Sequence, residues 1–151
     1  MSCPAAVSRQ AICFERARPE DLPFIAKELA RLKLDAEELD PTQFCLARAG
    51  DKIIGFGRLK HYQGICEMAS LAVLEERRGK GIGQEIASRL IKECPNRTVY
   101  LVTDIPVFFE KLGFKITDQY PRILGDKLKT FCAQAASNPV VAMVLKLESP
   151  R

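Results

Sequence analysis

Between residues 71 and 92 every second position of one short loop is glycine. Gly79, Gly81 and Gly83 alternate there, with Arg77, Arg78 and Lys80 around them. Upstream, residues 65–74 form an apolar run bounded by Gly64, which reads as a strand. Downstream, Ile82, Ile86 and Leu90 stand four apart and make one face of a helix. The chain must therefore pass from strand to helix through a basic loop that carries little side-chain bulk. Glycine lets a ligand approach the backbone because no Cβ intervenes. The first N–H groups of a helix have no intrahelical partner, and the helix dipole favours negative charge beside them. Such a loop suits a phosphate.

Known phosphate loops narrow the choice. A P-loop needs Ser or Thr after its lysine, but Lys80 is followed by Gly81. A dinucleotide fingerprint starting at Gly81 and Gly83 would need its third glycine at Ile86, and upstream lies a strongly apolar run rather than a full βαβ repeat. The pattern that remains is [QR]-x-x-G-x-[GA], matched by Arg78, Gly79, Lys80, Gly81, Ile82 and Gly83. This is the pyrophosphate loop of the GCN5-related N-acetyltransferases (GNAT), which the chain resembles. Two further stretches carry the resemblance. Residues 108–114, with Phe108, Phe109, Gly113 and Phe114, are similar to the family's F-Y-x-x-x-G-F segment, and residues 16–22 look like its opening. The resemblance implies acetyl-CoA as co-substrate, with its pyrophosphate on residues 78–83. It also implies that the backbone N–H groups of Leu71, Ala72 and Val73 receive the thioester carbonyl.

The whole chain agrees with an enzyme of this size. Its 151 residues suffice for one domain with a full core, and 47% hydrophobic and 28% charged residues describe an ordinary globule. No apolar run nears the roughly 18–20 residues of a membrane span. Residues 1–10 lack the apolar region of a signal peptide and read as a loose tail. A net charge of +4 suits an anionic ligand but is too dispersed to argue for nucleic acid. Six cysteines without a C-x-x-C pair, and one histidine, predict no metal site. Cys13, Cys45 and Cys66 lie in apolar runs and read as small hydrophobes, which points to a reducing, cytoplasmic setting. A homodimer is left open.

Taken in order, residues 11–18 predict a strand. A helix follows from Pro19, with Glu20 and Asp21 in its first turn and a stripe of Leu22, Ile25, Leu29 and Leu32. Residues 34–41 are an acidic connection, expected to be part helical; in the family this region borders the acceptor pocket. Residues 43–49 and 52–60 predict a hairpin across Gly50 and Asp51, in which Gly55 and Gly57 permit close backbone packing. Residues 61–64 read as a turn and 65–74 as the central strand. The helix over 81–94 is stopped by Pro95. A strand over 98–102 leads to a helix capped by Asp104 and closed at Gly113. Residues 114–117, 122–136 and 140–147 predict strand, helix and strand. The order β-α-β-β-β-α-β-α-β-α-β gives an α/β fold. With the resemblance it implies the GNAT fold across 11–148: one domain, a mixed, mostly antiparallel sheet, and helices on both faces.

Acetyl transfer to an amine needs a neutral nucleophile, so a base near the acceptor helps. Glu67 is the candidate base, a carboxylate inside an otherwise apolar strand. Period-two alternation would put it on one face with Leu71 and Val73. Several family members carry a glutamate in this place, ahead of an Ala-Val pair such as Ala72-Val73. The alternative is a sheet-edge glutamate in solvent or paired with Arg58. His61 could serve instead by its ordinary titration range. Many family members use the Tyr of F-Y-x-x-x-G-F as general acid; here Phe109 stands in that position. The leaving thiolate belongs to a thiol of pKa about 8.5, by analogy with cysteine, and departs with little help. Tyr100 and Tyr120 read as packing residues that could substitute.

For the acceptor, residues 67–73 and 102–114 resemble the domain of N-acetylglutamate synthases and of arsenic-resistance-associated N-acetyltransferases, and residues 130–143 also resemble the latter. This implies a small-molecule primary amine, an amino acid in type. Arg48, Arg58 and Lys60 are candidates to meet its carboxylate. A protein or peptide N-acetyltransferase is the alternative within the same chemistry. A non-catalytic acyl-CoA sensor is the alternative outside it.

Overall fold

The glycines and prolines that punctuate the sequence set the element boundaries in the computed structural model, which describes residues 11–62, 64–95, 97–134 and 139–147. The strands are β1 (Ile12–Arg16), β2 (Phe44–Ala49), β3 (Lys52–Tyr62), β4 (Ile65–Val73), β5 (Thr98–Thr103), β6 (Lys115–Ile116) and β7 (Val141–Lys146). The helices are α1 (Leu22–Leu32), α2 (Ile82–Lys92), α3 (Pro106–Glu110) and α4 (Arg122–Gln134). The seven strands form one mixed sheet in the order β1-β2-β3-β4-β5-β7-β6. The pairs β1–β2, β2–β3, β5–β7 and β6–β7 are antiparallel, and β4–β5 is parallel. Element order and mixed sheet are those expected from the sequence. None of the described helices is long and apolar enough to cross a membrane.

Two compact units share this sheet. The first comprises the described residues up to Arg58 together with Ser70–Leu90; the second comprises Leu59–Ala69 and the residues from Ile91 on. In the first unit, α1 buries Ile25 and Leu29 in a core with Phe44, Leu46, Ile53 and Phe56. Its helix α2 buries Ile82, Ile86, Ala87 and Leu90. The two strand glycines are the reason α2 sits so close to β3. A Cβ on Gly57 would stand 2.8 Å from Leu71 Cδ1 and 3.2 Å from Ile86 Cγ2; one on Gly55 would stand 3.2 Å from Ile86 Cδ1. In the second unit, Val99 and Leu101 of β5, Ala142 and Met143 of β7, Phe109, Phe114 and Leu124 are buried, and α4 lies against β5 and β7.

Three local expectations need correction. Residues 61–62 continue β3 rather than turning, so the hairpin strand is two residues longer than its hydrophobic pattern suggested. Asp104 does not cap α3; Ile105 holds the cap position, and its N–H donates to Thr103 Oγ1 at 2.9 Å. The connection over 34–41 contains no α-helix, only a single 3-10 turn over Pro41–Gln43. The expected end of the helix over 122–136 falls at residues 135–136, outside the described residues.

Candidate active site

The donor-side candidates lie in the first unit. β4 leaves the sheet through a 3-10 turn (Glu75–Arg77) and the glycine loop follows. Gly79 and Gly81 adopt φ of +79° and +82°, in the left-handed region where a side chain is strained. A Cβ at either position would meet nothing within 4 Å. The demand for glycine here comes from the backbone and from the open space beside it, which is what an approaching phosphate requires. Gly81 C=O accepts from Glu85 N–H at 3.0 Å, closing the first turn of α2. Ile82 is buried and offers its backbone alone, while Lys80 is exposed. Arg78 has a structural task as well as a charge: its Nε donates to Val73 C=O at 3.0 Å and ties the loop to the end of β4.

The last residues of β4 depart from a regular strand. Ser70 has φ +58°, the left-handed region, although it is not glycine. Alternation of faces holds only along extended backbone, so the counting that joined Glu67 to Leu71 and Val73 does not carry across Ser70. The β4–β5 register covers Cys66↔Val99 and Glu67↔Tyr100, and β4 runs six residues further to Val73.

The candidate bases, Glu67 and His61, lie in the second unit. Glu67 is buried, 1% exposed, which overturns the solvated-edge alternative. Its Oε2 is paired with the Lys127 ammonium from α4, and its Oε1 accepts from Tyr62 Oη at 3.2 Å. Arg58 is not its partner. A carboxylate offers about four lone-pair sites, so two partners do not exhaust them. Lys60 Nζ lies 5.9 Å from the Tyr62 ring, and Lys127 Nζ lies 5.7 Å from the Phe131 ring.

Tyr62 and Lys127 are the residues that sequence reasoning missed. Tyr62 lay in an expected turn, and Lys127 is 60 residues from its partner. Of the other candidates, His61 is exposed and its Nδ1 lies 3.6 Å from Cys66 Sγ. Phe109 is buried among aromatic rings, edge-on to Phe108 at 4.9 Å and to Phe114 at 5.8 Å; its role there is packing. Tyr120 packs beside Gly125, 3.3 Å from where a Cβ would be.

Two of the three basic candidates for an acceptor carboxylate are committed elsewhere. Arg48 joins Glu15 and Asp21, its Nη2 lying 2.6 Å from Asp21 Oδ2. Burial alone would push the Asp21 carboxyl up. The hydrogen bonds from Arg48 and from the Arg18 backbone N–H, with the guanidinium charge, outweigh it and hold that carboxyl below its ordinary value. Arg58 is fully buried and salt-bridged to Asp35 at 3.0 Å. Cys13 is an exposed thiol rather than a buried one, while Cys45, Cys66 and Cys94 are buried thiols.

A β-α-β-β-β-α-β-α-β-α-β chain whose central strand runs through a basic glycine loop into a helix has the architecture of an acetyltransferase fold. The profile of the acetyltransferase (GNAT) family matches residues 9–114, and the chain belongs to that family. Solved structures share the fold. N-acetylglutamate synthase from Neisseria gonorrhoeae, complexed with coenzyme A and N-acetyl-glutamate, superposes with a TM-score of 0.73 at 16% identity, over 92% of this chain and 36% of that one. This chain thus spans about a third of that enzyme. Rv2747 from Mycobacterium tuberculosis, in complex with CoA, gives 0.71 at 22% identity over 90% and 99% of the two chains. Diaminobutyrate acetyltransferase EctA from Paenibacillus lautus, in complex with L-2,4-diaminobutyric acid and coenzyme A, gives 0.68 at 14% identity over 94% and 98%. At these identities the likeness is one of fold. No curated protein matches the sequence.

Proposed function

We propose that the protein transfers the acetyl group of acetyl-CoA to the primary amine of a small molecule that also carries a carboxylate, an amino acid in type. Residues 78–83 hold the pyrophosphate, through the N–H groups that open α2 and the charges of Arg78 and Lys80. The N–H groups of Leu71, Ala72 and Val73 receive the thioester carbonyl as negative charge grows on its oxygen. Glu67 takes the proton of the attacking amine, directly or through water. Carbon–nitrogen bond formation and carbon–sulfur cleavage then release CoA as a thiolate, which needs little acid assistance.

The observation that carries this reading is the Tyr62–Glu67–Lys127 cluster, a buried carboxylate held by two side chains from separate elements. An apolar trio could fill the same space in a purely structural role, since replacing a whole buried ion pair by apolar residues is often neutral; a base needs the carboxylate and a fixed direction. The acceptor class follows the resemblance of residues 67–73 and 102–114 to amino-acid N-acetyltransferases. The solved neighbours crystallised with an N-acetyl amino acid or a diamino acid support the same class. A reducing, cytoplasmic setting belongs to this reading, in which Cys45, Cys66 and Cys94 pack as buried thiols.

A thiol-release assay with acetyl-CoA and a panel of free amino acids, small amines and peptides tests it. Turnover of free amino acids is the expected outcome. Turnover of peptides alone would replace the acceptor class. Acetyl-CoA binding without turnover of any amine would make the protein a sensor.

A further inference from the structure

A buried charge cluster ties β3 and β4 to the connection between α1 and β2. Arg58, on β3, is 0% exposed. Its Nη2 lies 3.0 Å from Asp35 Oδ1 and donates to Asp35 C=O at 3.3 Å. Its Nη1 donates to Glu38 C=O at 3.3 Å, and its Nε donates to Ser70 Oγ at 3.1 Å. The Ser70 hydroxyl donates in turn to Asp35 C=O at 2.6 Å. The guanidinium also stacks over Phe44, 5.5 Å from the ring centroid. With all three nitrogens engaged and no exposure, Arg58 cannot meet an acceptor carboxylate.

Backbone strain gathers around this one cation. Left-handed φ at a non-glycine residue is sparsely populated and persists only where the surroundings over-determine it. Four described residues other than glycine show it; Lys33 (φ +57°) is the left-handed C-cap of α1, while Glu38 (+49°) and Ser70 (+58°) each accept a hydrogen bond from Arg58. Leu34 and Leu39 pack on the neighbouring core and anchor the connection from above. A left-handed residue inside a strand rotates the peptide that follows it, and the peptide after Ser70 carries the N–H of Leu71.

We infer that Arg58 is a positioning residue of the acetyl-transfer reaction: through Ser70 it fixes the rotated peptide that aims the Leu71 N–H at the thioester carbonyl. The inference rests on the proposed use of Leu71–Val73 as carbonyl donors. It makes the connection between α1 and β2 part of the donor machinery, since Asp35 and Glu38 hold the other end of the same guanidinium. Arg58 touches neither substrate, and its effect travels through one hydroxyl and one strained backbone.

Calorimetric titration with acetyl-CoA and with CoA tests this, because the two differ only in the acetyl group. Ser70→Gly keeps access to left-handed φ, removes the hydroxyl link and leaves the Arg58–Asp35 pair in place. It is expected to lower the affinity for acetyl-CoA relative to CoA by about threefold to tenfold, the effect of one hydrogen bond. CoA affinity itself should stay within about twofold. Arg58→Met should do the same if it folds; if it does not, Ser70→Gly decides. An unchanged acetyl-CoA to CoA ratio in Ser70→Gly, even with a lowered Tm, overturns the inference and makes the cluster structural only. Failure of the wild-type protein to bind either ligand overturns the donor-site reading itself, and this inference with it.

Discussion

Replacing Glu67 by Gln keeps its shape and its hydrogen bond to Tyr62 but removes the capacity to take a proton. General acid–base contributions are about 10²–10⁴-fold, or roughly 3–5 kcal/mol at about 1.4 kcal/mol per tenfold. Glu67→Gln should lower kcat at pH 7 by at least ~10²-fold, with acetyl-CoA affinity by calorimetry nearly unchanged. Raising the pH deprotonates the amine in solution and restores part of the rate. For an α-amine acceptor recovery should set in near pH ~8, and for a lysine-like amine near pH ~10, following their pKa values. Near-full kcat in Glu67→Gln at pH 7 would hand the role to another group. At Gly81 the backbone makes the prediction. With φ at +82°, Gly81→Val forces a β-branched residue into the left-handed region and puts its side chain where the phosphate must approach. Acetyl-CoA Kd should rise at least ~10-fold in a variant whose circular dichroism is unchanged. Both residues were legible from the sequence, because a glycine alternation and a carboxylate in an apolar strand are local signals. Tyr62 and Lys127 were not: nothing in their own neighbourhoods says that they converge on Glu67.

Among the elements, β3 and β4 carry the tightest constraints. The Cβ positions of Gly55 and Gly57 are filled by Leu71, Ile86 and Leu90, so Gly57→Val overpacks the contact between β3 and α2. Overpacking of this kind costs about 1–3 kcal/mol, to be read from the midpoint of urea unfolding. Removing Arg58 acts differently, by taking the guanidinium away from the buried Asp35 carboxylate. Arg58→Met should destabilise by about 3–5 kcal/mol, the usual cost of breaking a buried pair from one side. The Arg48–Asp21 contact adds a pH dependence. The Asp21 carboxyl lies below its ordinary value of 3.8, so the folded state binds this proton less readily than the unfolded chain. The resulting stability is fully present above that ordinary value and is lost as pH falls through the lowered one. Urea midpoints measured from pH 6 down to pH 2 should fall below about pH 4, and Asp21→Asn should flatten that limb. The sequence placed these elements to within a few residues, since proline, glycine and hydrophobic period act within a window of ten residues or fewer. It misplaced the end of β3 and the cap of α3. There the deciding hydrogen bonds run to Thr103 and along the sheet rather than to the residue types that usually signal an end.

Over the whole molecule, acetyl-CoA binding should appear as stability. A ligand at 100 times its Kd raises the unfolding free energy by about 2.7 kcal/mol when only the folded state binds it. Thermal unfolding with saturating acetyl-CoA should shift upward in wild type and hardly at all in Gly81→Val. The sequence by itself determined the order of strands and helices, the glycine loop and therefore the family, because each of these is written in contiguous residues. Only the tertiary structure decided that β7 lies between β5 and β6, that Lys127 closes on Glu67, and that Arg58 faces Asp35 and Ser70 instead of an acceptor. Those outcomes depend on sheet order and register, which bring together residues 12 to 60 positions apart. A side chain's own type cannot specify which distant partner the sheet will deliver to it.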